Sequence, residues 1–213
     1  MTEEAHDVHE SALVIETREQ IALIRINRPA ERNSLSVATL QELDATFSAL
    51  TLRDDISAVI FTGTEDVFSS GANIRELQTL TPATARTFAE RGQQLFQKIA
   101  DARQLTIAAI NGYCIGGGLD LALACDVRIA SPGAVFAHPG ARLGIITGWG
   151  GTQRLPRLIG AARALEMFLT ARQVTSAEAH AIGIVRQVSD DVVECALDAA
   201  RGHASLKVTD KLC

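Results

Sequence analysis

An α/β architecture is predicted by three features of this 213-residue chain. β-rich apolar runs alternate with segments whose apolar residues recur at helical spacing, which is the mark of α/β proteins. The length suits one substantial domain. Hydrophobic residues make up 47% and the mean hydropathy is +0.14, which excludes a disordered chain. That apolar share sits slightly above the globular range and points to a buried subunit contact. A globular core over 1–203 with a short tail at 204–213 is the expected organisation.

The elements follow in order. Residues 12–17 (ALVIET) and 21–27 (IALIRIN) read as a β-hairpin, ended by Pro29. Ser36 is an N-cap, and Leu40, Leu43, Phe47 and Leu50 mark one face of a helix. A buried strand at 57–62 follows. Thr81-Pro82 opens a longer helix with Ala85, Phe88, Leu95, Phe96 and Ile99 inside, and Gly92 weakens it slightly. A strand at 105–110 turns at Asn111-Gly112, and Gly116 to Gly118 lead into an apolar helix through Cys125. Strands at 127–130 and 134–138 precede a glycine-rich loop from 144 to 160. A helix at 161–170, a short helix at 175–182, a strand at 184–188 and a helix at 190–203 complete the pattern.

Composition narrows the function. Aromatic residues are only 4% and the net charge is −5, so a nucleic-acid partner is not expected. Cys114, Cys125, Cys195 and Cys213 are too far apart for a CxxC metal or redox motif, so no metal is expected and a reducing, cytoplasmic setting fits. The acidic N-terminus has no apolar core of a secretory signal. Residues 105–125 are apolar, but an Asn-Gly turn, three glycines and Asp120 argue against a membrane span.

Two segments could carry chemistry. In 67–76 (VFSSGANIRE) a strand passes to a helix through small residues, where unpaired backbone N–H groups can bind an anion or a developing oxyanion; an ordinary turn reads the same way. In 111–120 (NGYCIGGGLD) three successive glycines permit close approach of backbone to a ligand. Phosphate-binding patterns fail here. There is no Gly-Lys-Ser/Thr, and the third glycine of a dinucleotide fingerprint is Leu121. Asp120 stands among Leu, Ala and Cys, a setting that raises a carboxyl pKa and suits acid/base work, although an acid in a helix's first turn is also favoured by the macrodipole.

Together these segments resemble the enoyl-CoA hydratase/isomerase (crotonase) family. The likeness includes Arg28-Pro29 to Asn33-Ser34-Leu35, the Ser-Gly-Ala-Asn-Ile stretch, Asn-Gly-Tyr-Cys-Ile-Gly-Gly-Gly, Ala124-Cys125-Asp126 and Gly150-Gly151-Thr152-Gln153-Arg154-Leu155-Pro156. The resemblance implies a spiral of repeated β-β-α units, assembled as a trimer or a dimer of trimers. It implies an acyl-CoA substrate whose coenzyme A needs no further cofactor. Two main-chain N–H groups, here of Ala72 and Gly117, would hold the thioester carbonyl and stabilise an enolate. Ser70, Ala72, Asn73, Ile74, Arg75, Gly117, His138 and Gly140 would line the substrate path.

The chain also departs from that pattern. Of the two acids used by hydratases, the first aligns with Asp120 and the second with Gly140; some dienoyl-CoA isomerases carry a further acid that aligns with Gly148. No Asp or Glu lies between Asp126 and Glu166. His138, two residues before Gly140, is a candidate substitute acid/base. Arg128, Arg142, Arg154, Arg157 and Arg163 form a basic band, read as a solvated surface or as partners of CoA phosphates or of a neighbouring subunit's acids. The chain stops at Cys213, short of most of the family's usual C-terminal helices. Hydration or double-bond isomerisation of an enoyl-CoA is the expected activity; a decarboxylase, a thioester hydrolase and a binding protein that has lost catalysis are the alternatives.

Overall fold

The structure is a computed structural model that describes residues 11–209. In chain order the elements are β1 (Leu13–Arg18), β2 (Ile21–Ile26), β3 (Ser34–Leu35), α1 (Val37–Thr51), β4 (Ala58–Thr62), β5 (Val67–Ser69), β6 (Gly71–Ala72), α2 (Ile74–Gln78) and α3 (Pro82–Ala100). They continue as β7 (Leu105–Ile110), β8 (Tyr113–Ile115), α4 (Gly117–Ala124), β9 (Val127–Ala130), β10 (Val135–Ala137), α5 (Gly151–Ile159), α6 (Ala161–Thr170), β11 (Val174–Thr175), α7 (Ser176–Ala181), β12 (Gln187–Val188) and α8 (Val192–Thr209).

A six-stranded sheet runs β1-β2-β4-β7-β9-β12, antiparallel only at the β1–β2 hairpin. A smaller sheet runs β11-β10-β8-β5, and β3 pairs with β6. The topology is repetitive. Each of β2, β4, β7 and β9 is followed by a short strand (β3, β5, β8, β10) in one of the smaller sheets and then by helix, so the β-β-α unit recurs without any repeat in sequence.

The parallel strands are apolar on both faces, as a sheet covered on two sides requires. Ala22, Ile24, Val59, Phe61, Ala108 and Ile110 face the main core with α1, α3 and α4, while Leu23, Ile60, Ile107 and Ile129 pack under Val192, Ala196, Leu197 and Ala200 of α8. Ser36 caps α1 by accepting from the Thr39 N–H and Thr81 caps α3, both as the sequence predicts, and Thr84 completes a capping box with Thr81.

The stretch 144–160 is not all loop. Helix α5 starts at Gly151, and Leu155 and Ile159 are buried on one face of it. The glycines before it hide its start, and Pro156 sits inside it despite the usual exclusion of proline. Helix α8 also runs six residues beyond the predicted end, to Thr209. Gly92 has a packing role: a Cβ there would lie 2.3 Å from the Trp149 ring. Among the described residues no helix is long and apolar enough to cross a membrane. Cys114 and Cys125 are buried free thiols, and Cys213 lies outside the described residues.

Candidate active site

The two strand-to-helix junctions meet. Gly71, at φ 87°, lies so close to the start of α4 that a Cβ would stand 2.7 Å from the Gly117 nitrogen. A Cβ on Gly117 would in turn lie 3.3 Å from the Ala72 nitrogen. Gly116 adopts φ 55° and its carbonyl accepts the Asp120 N–H, the first bond of α4, which leaves the Gly117 N–H without an intrahelical acceptor. The opposite strand is fixed from below. Asn33, fully buried at φ 53°, accepts from the Arg28 N–H and donates to Thr64 Oγ1 and the Val67 carbonyl. Ser69 Oγ donates to the Asn33 carbonyl and accepts from the Gly71 N–H. Pairing of β3 with β6 then sets Ala72 beside Leu35. The Arg28–Leu35 stretch thus positions the site without lining its cavity.

A cavity of about 250 Å³ opens over this junction. Its wall includes Ser70, Ala72, Ile74, Gly117, His138 and Gly140, so six of the nine expected site residues converge there. Asn73 and Arg75 border an adjoining cleft that shares Ser70, Ala72 and Ile74. Leu77, Phe88, Leu143, Ile145 and Ile146 make the rest of the wall largely apolar. Among the described residues that line it none is Asp, Glu, Lys or Arg.

The ninth residue, Asp120, lies behind the wall with no exposed surface. Its Oδ2 accepts from the Thr147 hydroxyl and, at 3.3 Å, from the Trp149 N–H. Its Oδ1 faces His138 Nε2 at 3.6 Å, and among the described residues neither of these atoms nor His138 Nδ1 has a hydrogen-bond partner. The Phe168 ring packs on the imidazole with centroids 5.1 Å apart.

Burial pushes the Asp120 carboxyl up to about 7, against the pull of the Thr147 hydroxyl, the Trp149 N–H and the Arg154 guanidinium. Burial likewise pushes His138 down to about 4. Between those values the uncharged arrangement is favoured, with a proton on Asp120 and none on His138. The contact is therefore a neutral acid–imidazole pair rather than a salt bridge.

Sequence reasoning missed Thr147 and Trp149, which line the cavity and hold Asp120. The single tryptophan of the chain was the available signal. Its ring stacks between Gly92 and Gly117, edge-on to Phe96, with Nε1 donating to the Phe88 carbonyl.

Of the basic band, Arg142, Arg157 and Arg163 are exposed, as a solvated surface requires, while Arg128 and Arg154 are partly buried. Arg128 donates to the Cys125 carbonyl at 2.5 Å and the Ile184 carbonyl at 2.8 Å, at the end of α4. Arg142, Arg154, Arg157 and Arg163 donate to the carbonyls of Ala171, Phe96, Gln153 and Ile159. Three of these six carbonyls, those of Cys125, Ile159 and Ala171, end helices, where unpaired oxygens attract cations. Gly140 is required as glycine, since a Cβ would lie 2.6 Å from the Ile145 carbonyl oxygen. Gly148 has room, with only Ala89 Cβ at 3.7 Å among the described residues.

The enoyl-CoA hydratase/isomerase family matches residues 16–206. A probable enoyl-CoA hydratase of Rhizobium meliloti (strain 1021) is 38% identical over 92% of this chain and 76% of its own. A crotonyl-CoA hydratase of Syntrophomonas wolfei is 40% identical over 83% of this chain and 68% of its own. Among solved structures, an enoyl-CoA hydratase from Bacillus anthracis superposes with a TM-score of 0.87 at 35% identity, covering 91% of this chain and 77% of that one. Pseudomonas aeruginosa DspI gives 0.88 at 38% identity over 95% and 84%. The β-β-α spiral is therefore shared along with the sequence, and the chain belongs to the enoyl-CoA hydratase/isomerase family.

Proposed function

We propose that the chain adds water to, or shifts the double bond of, an enoyl-CoA thioester through an enolate held by the Ala72 and Gly117 N–H groups. The observation that carries this reading is the convergence of those two amides on one apolar cavity, with a buried acid directly behind them. Fixed main-chain donors suit a charge that grows on the thioester oxygen; each is worth on the order of 3 kcal/mol in the transition state. Asp120, held near neutral pKa, can give a proton to the substrate α-carbon and take one back at physiological pH. The coenzyme A portion would run along Asn73 and Arg75 in the adjoining cleft. As proposed, coenzyme A enters as part of the substrate and the other groups belong to the chain.

Isomerisation is the second reading, favoured by Gly140. Hydration needs a group to activate water, and with no acid at 140 the remaining ionisable residue among the described residues of the wall is His138. Moving a proton between two carbons needs one group alone. Incubation with a 2-enoyl-CoA and with a 3-enoyl-CoA, followed by separation of products, tests both; recovery of both thioesters unchanged would refute the proposal.

A trimeric assembly is part of this reading. Leu158, Leu165 and Leu169 on α5 and α6 are exposed apolar side chains that support such a contact. Light scattering of the wild type and of Leu165→Glu tests it: a wild-type monomer would contradict it.

A further inference from the structure

We infer that the Thr147 hydroxyl relays the proton between buried Asp120 and the substrate in the cavity. This rests on the enolate reading above and adds the route by which its acid reaches the substrate. Asp120 has no exposed surface and does not line the cavity, so a proton leaving it must cross a second group. The two candidates are His138 and Thr147, the ionisable or hydroxylic wall residues that touch the carboxyl. His138 presents neither nitrogen: Nδ1 and Nε2 are both sealed from solvent. Thr147 is only half-buried, borders the cavity and is hydrogen-bonded to Asp120 Oδ2. The Trp149 N–H holds the same carboxyl oxygen, and the Thr147 methyl group packs close to the start of α5, where a Cβ on Gly151 would lie 2.8 Å from it.

The step balances in both directions. To form the enolate, the α-carbon gives its proton to Thr147 Oγ1 as the Thr147 hydroxyl proton passes to Asp120 Oδ2, and the C–H electron pair moves into the enolate. To quench an enolate, the Asp120 proton passes to Oγ1 while the hydroxyl proton bonds to the α-carbon, using the enolate electron pair. Thr147 ends each turnover unchanged. The titratable groups facing this route are Asp120 itself and the neutral His138 at Oδ1, with the charged Arg154 guanidinium near the carboxyl.

The test uses exchange of the α-protons of butyryl-CoA in D2O, followed by mass spectrometry, beside turnover of crotonyl-CoA. Exchange needs the enolate and its proton route but no water addition. Thr147→Val keeps the shape and removes the hydroxyl; Thr147→Ser keeps the hydroxyl. The valine variant is expected to lose about 100-fold in exchange rate and in kcat, as general acid/base removal does, with KM within about threefold. Thr147→Ser should recover exchange to within about fivefold of wild type. Thr147→Ala replaces the valine variant, with the same expected loss, if valine prevents folding. Exchange at the wild-type rate in Thr147→Val, or an equal loss in Thr147→Ser, overturns the relay. Wild-type exchange that depends on Thr147 without any turnover of crotonyl-CoA would support the relay and refute hydration. A wild-type chain that exchanges no α-proton overturns both.

Discussion

Replacing Asp120 by asparagine removes one of two opposed titrations in the buried pair. The isolated values are 3.8 for aspartate and 6.5 for histidine, against about 7 and about 4 in the fold. Asp120 is raised, so its contribution is fully present below pH 3.8 and is lost as pH rises through 7. His138 is depressed, so its contribution is present above pH 6.5 and is lost as pH falls through 4. Each slope is ~1.4 kcal/mol per pH unit. Between pH 4 and 6.5 the slopes cancel, because the folded pair keeps one proton on Asp120 and the unfolded pair keeps one on His138. Asparagine can accept from Thr147 and Trp149 as Oδ2 does and offer an N–H to His138 Nε2, so packing survives. Subtracting the wild-type stability from that of the variant cancels every other group. The difference should then grow in favour of asparagine by ~1.4 kcal/mol per pH unit, and by about 4 kcal/mol in all, across the interval from 3.8 to 7. Urea unfolding at half-unit pH steps, read as midpoint times slope, measures it. Parallel stability curves for the two proteins would refute the claim that Asp120 is protonated in the fold at mildly acidic pH.

Other substitutions probe the cavity. Gly117→Ala places a methyl 2.3 Å from the Trp149 ring and 3.3 Å from the Ala72 nitrogen, and should lower kcat/KM by about 10²–10³-fold, as loss of an oxyanion donor does. A carboxylate should be tolerated at one of the two acid-free positions and resisted at the other. Gly140→Glu meets the Ile145 carbonyl at 2.6 Å and should cost about 1–3 kcal/mol in urea unfolding, whereas Gly148→Glu finds open space and should stay within about 0.5 kcal/mol. Equal costs would contradict the contact geometry.

Much of this was legible in the sequence, and the limits have physical causes. The strands at 21–26, 58–62 and 105–110 are covered on both faces, so their runs are largely apolar, interrupted inside only by Arg25 and Thr106, and easy to read. The caps at Ser36 and Thr81 depend on neighbours three residues away and were equally visible. Ala72 and Gly117 could be paired only through the family resemblance, because their approach is set by Asn33 and Ser69 through hydrogen bonds to distant carbonyls. His138 and Gly140, two residues apart in sequence, both line the cavity, although the chain leaves the strand at Ala137 and turns through a short 3-10 helix. Thr147 stayed hidden because a threonine among glycines has no periodicity, and its partner lies 27 positions earlier. Gly92 illustrates the converse: helix propensity reads it as a weakness, and only the indole packed upon it explains the residue.

The central claim is that an enolate formed at Ala72 and Gly117 exchanges its proton with Asp120. Loss of the conjugated thioester absorbance of crotonyl-CoA, followed with wild type and Asp120→Asn side by side, tests it most directly. The account predicts turnover by the wild type and a kcat lower by about 10²–10⁴-fold in the variant with KM little changed. Turnover of equal rate in the two proteins would contradict it.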